Sequence, residues 1–357
     1  MTALVMISVV AALMRCLSCR SVVLVLQLVN IAEPSAERVA VAVERLLPDA
    51  APVRPVRALR SGRSHRSWVL ESGIGRLVGK VQLTDHTEVV LDRLAEHRRV
   101  AEHDVPVPRL LGFTPSSETV GGRLLIVAEY LEGQDAEEAS SSLPADLMVD
   151  ALRLAGSALA QLHRVPVPAF GDAVIGLRPG PRTWGEVVAS RAELLRRAYG
   201  DRNGEMESAS MSVISTGLDM LNRLGDAVSR LVRPAVAHLD MYLPNILLGV
   251  DGRFRALLDL EHLRWVDPAM DFVKPAMWMF EGRPEWADAF ANGYGVAERR
   301  PPLWSERLSV ATGLELLTGV DYWTRVKDQA MREDYLRRLR RWVRSDGAEH
   351  VWSSVTT

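Results

Sequence analysis

The sequence predicts an α+β protein with two lobes: an N-terminal lobe built on an antiparallel sheet with a helix, and a mainly helical C-terminal lobe. Short apolar runs separated by glycine- and serine-containing turns fill the first third of the chain, which is typical of hairpins. The remainder carries long stretches of helical apolar periodicity. With 357 residues and 48% hydrophobic composition the chain can bury two cores, at 34–133 and 134–350.

Residues 1–33 form an apolar extension ahead of the first lobe. Its two apolar runs are interrupted by Arg15 and Arg20, and each run is shorter than the about 20 residues that span a bilayer. No positive charge precedes the first run, as a secretory signal would require. We favour a non-native extension from an upstream start codon. A weak membrane anchor and additional core structure are the alternatives.

The N-terminal lobe begins with a helix that Ser35 caps and that runs to Leu47. Strands are predicted at 56–59, 67–71 and 76–83, and the third carries Lys80. The loop between the first two contains Ser61, Gly62 and Ser64. Small residues in such a loop let backbone N–H groups approach phosphates, although a glycine between two strands is most often only a turn.

Lys80 is one of three lysines in the chain, with Lys274 and Lys327, so its place on the third strand is informative. A lysine there pairs with the phosphates of ATP in kinases. A helix follows at 87–103, and its acidic face offers three partners for Lys80, of which we choose Glu88 over Asp92 and Glu96.

The strand predicted at 123–130 ends at the connection between the lobes. Backbone groups of Glu129 and Leu131 are candidates for reading the adenine edge of a nucleotide. A buried strand followed by a glycine turn at Gly133 is the simpler alternative. The C-terminal lobe then has helical stretches at 147–163, 206–232, 277–295 and 307–344.

The most specific pattern is His238, Asp240 and Asn245, followed by Asp259. An Asp and an Asn five residues apart, with a later Asp at the end of a strand, match the kinase catalytic pattern. In that pattern the first Asp faces the acceptor hydroxyl, while the Asn and the second Asp bind metal ions. Phosphoryl transfer needs little more from a protein than an aligned acceptor and cations on the developing charge.

Segments at 60–66, 78–81, 105–112, 127–133, 162–163, 170–171, 238–245 and 258–271 occur in an order that resembles the aminoglycoside phosphotransferase family. These are small-molecule kinases with a protein-kinase-like fold. The resemblance covers about residues 35–345; its catalytic and metal segments are specific, and the loop at 60–66 is not.

The resemblance implies that Lys80 contacts ATP, that Asp240 is catalytic, and that Asn245 and Asp259 bind Mg²⁺. His238 is expected to brace the loop, as are Asp267 and Asp271. The family commonly has glycine where this chain has Leu239, so we expect ordinary backbone angles at that leucine.

These observations predict a cytoplasmic, ATP- and Mg²⁺-dependent kinase that phosphorylates a hydroxyl of a small molecule, such as an aminoglycoside or another antibiotic. An aminoglycoside would need a carboxylate-lined cleft, for which Glu261, Glu281 and Glu285 are candidates. A metabolic kinase for a homoserine- or choline-like alcohol and a non-catalytic nucleotide-binding module are the alternatives. With 43 basic and 45 acidic residues, no nucleic-acid partner is expected, nor a stable membrane association. The oligomeric state is left open.

Overall fold

The computed structural model describes residues 34–59, 64–83, 87–172, 181–202, 204, 206–299 and 301–352, without the side chains of 87–89, 172, 298 and 299. The predicted extension at 1–33, Ser61, Gly62 and the side chain of Glu88 therefore lie outside the described residues. The chain divides into two compact units. One consists of the described part of Met1–Thr84 together with Gly112–Val127, and the other of the described part of Asp85–Leu111 and Ala128–Thr357.

The first unit is built on a five-stranded sheet with the strand order β1-β2-β3-β5-β4. β2 and β3 form an antiparallel hairpin in which Ser67 lies opposite Lys80. A helix, α1, is capped as predicted by the Ser35 side chain, which accepts a hydrogen bond from the Arg38 N–H. The bounds of these elements are α1 Ala36–Leu46, β1 Arg54–Ala58, β2 His65–Ser72, β3 Gly75–Gln82, β4 Leu110–Ser117 and β5 Arg123–Glu129.

The second unit is mainly helical and contains a large continuous apolar core. Its helices are α2 Thr87–Ala101, α3 Ala136–Ala139, α4 Ala145–Leu162, α5 Trp184–Gly200, α6 Ser208–Val228, α7 Val273–Trp278, α8 Pro284–Tyr294, α9 Val296–Arg299, α10 Trp304–Arg325 and α11 Gln329–Arg344. No helix among the described residues has the length and the apolar character that crossing a membrane requires.

Two of the predicted helical stretches are each divided in the structure. The stretch at 277–295 is interrupted before Pro284, which occupies the first turn of α8, where its missing N–H costs nothing. The stretch at 307–344 is interrupted at Lys327, which has a positive φ of 58°, and Asp328 then caps α11 by accepting the Met331 N–H.

Two three-stranded sheets support the loops of the second unit, with the orders β10-β9-β6 and β7-β11-β8. Their strands are β6 Gln134–Asp135, β7 Gly171–Asp172, β8 Ala235–Ala237, β9 Ile246–Leu248, β10 Phe254–Leu257 and β11 Arg264–Val266. Gly133, just before β6, has a φ of 155°, and a Cβ there would lie 2.0 Å from the Leu248 carbonyl oxygen. Only glycine lets the chain approach β9 this closely.

Candidate active site

The loop between β8 and β9 carries Asp240 and Asn245, and the structure brings their side chains together. Asn245 Nδ2 lies 2.7 Å from the Asp240 carbonyl oxygen and 2.9 Å from Asp240 Oδ2. Both Asp240 atoms are hydrogen-bond acceptors, so the amide nitrogen must face them. The Asn245 carboxamide oxygen is therefore the atom that this side chain can offer to a cation.

Lys274, at the start of α7, completes the surroundings of the Asp240 carboxylate. Its Nζ lies 2.6 Å from Asp240 Oδ1, and both side chains are largely buried. Burial alone would lower the pKa of Lys274, but the carboxylates of Glu315 and Asp240 raise it above its usual value of 10.5. The ammonium is therefore charged at neutral pH and holds one carboxylate oxygen, while Asn245 holds the other.

The sequence prediction assigned no role to Lys274. The signal that could have identified it is the one used for Lys80: both are among the three lysines of an otherwise arginine-rich chain. Separation by 34 residues from Asp240 hides the contact from any local motif.

Asp259 follows β10 and is held next to the loop by backbone contacts of its neighbour. The Leu258 N–H donates to the Asn245 carbonyl oxygen at 2.9 Å, and His238 Nε2 lies 2.8 Å from the Leu258 carbonyl oxygen. The backbone of Asp259 is left-handed, with φ 62° and ψ 60°. His238 is fully buried and braces the two segments against each other.

Asp271 fixes the start of the loop by accepting two backbone N–H groups. Its Oδ2 lies 2.7 Å from the His238 nitrogen, and its Oδ1 lies 2.6 Å from the Leu239 nitrogen. His163 Nε2 lies 2.9 Å from Oδ2 on the other side. Burial alone would raise the pKa of Asp271, but the bonds from His163 and His238 outweigh it and lower the pKa below 3.8.

The expectation of ordinary backbone angles at Leu239 is wrong. Its φ is 63°, in the left-handed region that costs a branched residue of the order of 1 kcal/mol. The charge-assisted bond from the Leu239 N–H to Asp271 offsets this cost. The chain thus keeps a turn that favours glycine without using glycine.

Asp267 lies four residues before Asp271 and makes different contacts. Arg307 donates to both of its carboxylate oxygens, with Nη2 2.6 Å from Oδ1 and Nε 3.0 Å from Oδ2. Its Oδ1 also accepts the Ala269 N–H at 2.9 Å. Both partners of the ion pair are buried, so Asp267 anchors α10 to the 3₁₀ turn at Pro268–Phe272.

Asn245 and Asp259 are the residues that could hold a divalent metal ion. They supply one carboxamide oxygen and one carboxylate, which are the hard oxygen donors that Mg²⁺ prefers. No group of three or more His, Cys, Asp or Glu side chains arranged for a metal occurs in the part of the chain that the structure describes. A set of two protein ligands nevertheless fits Mg²⁺, because this ion usually retains several waters and binds substrate phosphates.

The predicted nucleotide-binding residues are distributed over both units. Lys80 is half-buried on β3 in the first unit, and Ser64 directly precedes β2. In the second unit, the Glu129 carboxylate accepts the Arg109 backbone N–H at 2.7 Å and Arg109 Nε at 2.9 Å. Leu131 follows β5 and lies in no helix or strand.

On α2, the Glu96 side chain is buried and that of Asp92 is half-buried, while that of Glu88 lies outside the described residues. Glu96 accepts the Trp265 indole N–H at 3.1 Å and pairs with Arg99. Arg93 on the same helix donates to the Glu261 carbonyl oxygen at 2.6 Å. These contacts tie α2 to the segment that follows Asp259.

Comparison with known proteins identifies the family. The model of the phosphotransferase enzyme family (APH) matches residues 55–306, well over half of the chain. The chain belongs to this family. The matched range contains Lys80, Asp240, Asn245, Asp259 and Lys274. The family predicted from the sequence is therefore confirmed. Among curated protein sequences, none matches the chain.

Solved structures of aminoglycoside phosphotransferases share its fold. Aminoglycoside phosphotransferase APH(4)-Ia aligns with a TM-score of 0.64 at 18% identity, covering 86% of this chain and 99% of that one. APH(2″)-IIIa, in complex with GDP and kanamycin, aligns with a TM-score of 0.60 at 14% identity, covering 86% and 98%. A putative aminoglycoside phosphotransferase from Ralstonia eutropha JMP134 gives 0.59 at 17% identity, covering 89% and 98%. These likenesses confirm the predicted protein-kinase-like α+β fold.

Proposed function

We propose that this phosphotransferase-family protein transfers the terminal phosphoryl group of ATP to a hydroxyl group of a small molecule, with Asp240 facing the acceptor. The observation that carries the proposal is the fixed Asp240 carboxylate, held by Asn245 on one oxygen and by Lys274 on the other. A carboxylate restrained in this way is suited to orient an acceptor hydroxyl, which is most of what such a reaction demands.

In the proposed step the acceptor oxygen forms a bond to the γ-phosphorus while the bond from that phosphorus to the β–γ bridging oxygen breaks, and ADP leaves. The hydroxyl proton passes to the Asp240 carboxylate and from there to solvent. Each carboxylate oxygen has a lone pair beyond the one that Asn245 or Lys274 occupies, so proton transfer does not require those bonds to break. The side chain of Asp240 is 17% exposed, which leaves it accessible to an acceptor.

Asn245 and Asp259 would hold Mg²⁺, which when bound neutralises charge developing on the phosphoryl oxygens. Lys80 would contribute a positive charge to the nucleotide phosphates. Support for a nucleoside triphosphate donor comes from relatives. A thermostable mutant of APH(4)-Ia forms a ternary complex with AMP-PNP and hygromycin B, and APH(2″)-IIIa binds GDP. Those two nucleotides differ in the base, so the ATP preference requires its own test.

The test is a coupled assay of ADP or GDP release with a panel of hydroxyl acceptors, run with and without Mg²⁺. We expect acceptor-dependent release of ADP that requires Mg²⁺, and a phosphate monoester of the acceptor as the product. Phosphorus NMR of the mixture distinguishes the monoester from inorganic phosphate. Release of inorganic phosphate alone, independent of every acceptor, would contradict a transferase.

A further inference from the structure

A cavity of about 170 Å³ lies directly beside the Asp240–Lys274 pair. Leu239, the sequence neighbour of Asp240, and Lys274, its ion-pair partner, line the cavity together with residues of α5 and α10. All lining residues belong to the second unit. The proposed function does not by itself assign a ligand to this cavity.

The charges in the wall favour an anion. Three cationic side chains line the cavity, those of Arg191, Arg264 and Lys274. Lys274 is already paired with Asp240, which leaves Arg191 and Arg264 against a single carboxylate in the described lining, that of Glu315. Glu315 already accepts the Tyr335 hydroxyl at 3.0 Å. Positive charges in a concave wall raise the local concentration of anions.

A buried donor on a lining residue is a second observation. Trp184 lines the cavity and is 1% exposed, and its indole N–H has no hydrogen-bond acceptor among the described residues. A buried N–H without a partner is costly, and such groups call for an explanation such as a ligand. An oxyanion is a strong acceptor for this kind of donor.

Size and charge both count against an aminoglycoside in this cavity. Pockets for drug-sized ligands usually measure about 300–1,000 Å³, well above the volume found here. The predicted candidates for a carboxylate-lined cleft, Glu261, Glu281 and Glu285, are absent from the described lining. Glu281 instead pairs with Arg338 at 3.0 Å.

We propose that this cavity binds an oxyanion of the acceptor, so that the substrate is a small alcohol bearing a carboxylate or a phosphate. This inference rests on the proposed function and specifies its acceptor. The alcohol end lies towards Asp240, and the anionic end contacts Arg191 and the Trp184 indole N–H.

Three molecules of nearly equal size test the proposal by calorimetry: glycerate, glycerol and aminopropanediol, which differ in charge at one end. Glycerol phosphate and kanamycin are added, the first to separate phosphate from carboxylate. The expected result is that glycerate or glycerol phosphate binds at least about 10-fold more tightly than glycerol, which is the scale of one charge-assisted hydrogen bond. Tighter binding of kanamycin or aminopropanediol, or no binding of either anion at millimolar concentration, would overturn it.

Two variants and a matched control make the test specific to this wall. Arg191→Met should weaken binding of the anion about 10-fold, the loss of one charge-assisted contact. Arg196→Met should leave it unchanged, because Arg196 on the same helix pairs instead with Asp219 at 2.7 Å. Trp184→Phe should also weaken anion binding, with an equal or higher Tm, since it removes a buried donor that has no partner. Equal anion affinity in the wild type and in Arg191→Met would refute the inference.

Failure of this inference is distinguishable from failure of the proposed function. Mg²⁺-dependent ATP binding and ATP-dependent transfer to any acceptor are measured on the same preparations. If transfer occurs only to cationic or neutral alcohols, the oxyanion site is wrong and the kinase proposal stands. If ATP does not bind, the proposed function itself fails, whatever the anion data show.

Discussion

The loop that carries Asp240 and the cavity beside it differ in how they are built. The loop, with Asp240 and Asn245 five residues apart, is made from one short stretch of chain. The cavity draws Trp184 from α5, Glu315 from α10 and Lys274 from α7. The Asp and Asn of the loop are thus local in sequence, whereas the residues that would select a substrate come from separate helices. A motif can reveal the first set and not the second.

The largest effect on the loop is expected from removing the Asp259 carboxylate, one of the two proposed Mg²⁺ ligands. Asp259→Ala should abolish the Mg²⁺-dependent part of nucleotide affinity, because Asn245 alone would remain of the two proposed protein ligands. Calorimetry with ATP in the presence and absence of Mg²⁺ measures this. The control is Asp251→Ala, an exposed aspartate in the turn after β9. Unchanged Mg-ATP affinity in Asp259→Ala would show that the metal assignment is wrong.

A second prediction separates the two buried aspartates near the loop. Asp271→Asn leaves one of the His238 and Leu239 N–H groups without an acceptor, so kcat and Tm should both fall, with a loss of about 1–3 kcal/mol in stability. Asp267→Asn should cost about 3–5 kcal/mol because it leaves Arg307 buried without its partner charge. Its kcat per folded molecule should change little. Equal losses of kcat in Asp271→Asn and Asp267→Asn would refute the different roles assigned to the two aspartates.

The pH dependence of stability gives a further prediction for Asp271. Its pKa in the folded state is lowered from the ordinary value of 3.8, so its contribution is present above that value. The contribution is lost as the pH falls through the folded-state pKa. The difference in unfolding free energy between wild type and Asp271→Asn should therefore shrink below about pH 4. Urea unfolding at several pH values measures it, and a difference that grows on acidification would contradict the assignment.

Lys274→Met removes the ammonium beside Asp240 while keeping a side chain of similar length. We expect kcat to fall about 10-fold, because Asp240 loses one of the two groups that orient it. Lys274→Arg should recover part of this loss. Lys327→Met, an exposed lysine between α10 and α11, is the matched control. Steady-state kinetics with kcat equal in Lys274→Met and in the control would remove Lys274 from the mechanism.

The smallest expected effect concerns Lys80. If it contacts only the nucleotide, Lys80→Ala should raise the KM for ATP more than the KM for the acceptor, and Lys80→Arg should be a partial replacement. If Lys80 is instead a surface residue that does not contact the nucleotide, both variants should show wild-type kinetics. An effect confined to the acceptor KM would place the nucleotide elsewhere.

Much of the fold follows from local sequence signals. Ser35 caps α1 where predicted, and the β2–β3 hairpin carries Lys80 on the expected strand. The division of the helical stretch at 277–295 was also readable, because Pro284 favours the first turn of a new helix. These features depend on neighbours in sequence, which is why pattern and propensity suffice for them.

The left-handed turn at Leu239 could not be predicted in the same way. Its backbone is set by Asp271, 32 residues later, which accepts the Leu239 N–H. Lys274 reaches Asp240 across a similar separation. Local propensity disfavours a left-handed backbone at Leu239 and gives no information on the Lys274–Asp240 contact. Both features are determined by tertiary hydrogen bonds.

The most direct test of the central claim is single-turnover transfer of labelled γ-phosphate from ATP to an acceptor by wild type and Asp240→Asn. Calorimetry must first show equal Mg-ATP affinity, and Asp150→Asn, an exposed aspartate paired with Arg153, is the control. We predict at least a ~100-fold slower transfer in Asp240→Asn, the usual loss for a positioned acid or base. A transfer rate in Asp240→Asn close to that of wild type would contradict the account.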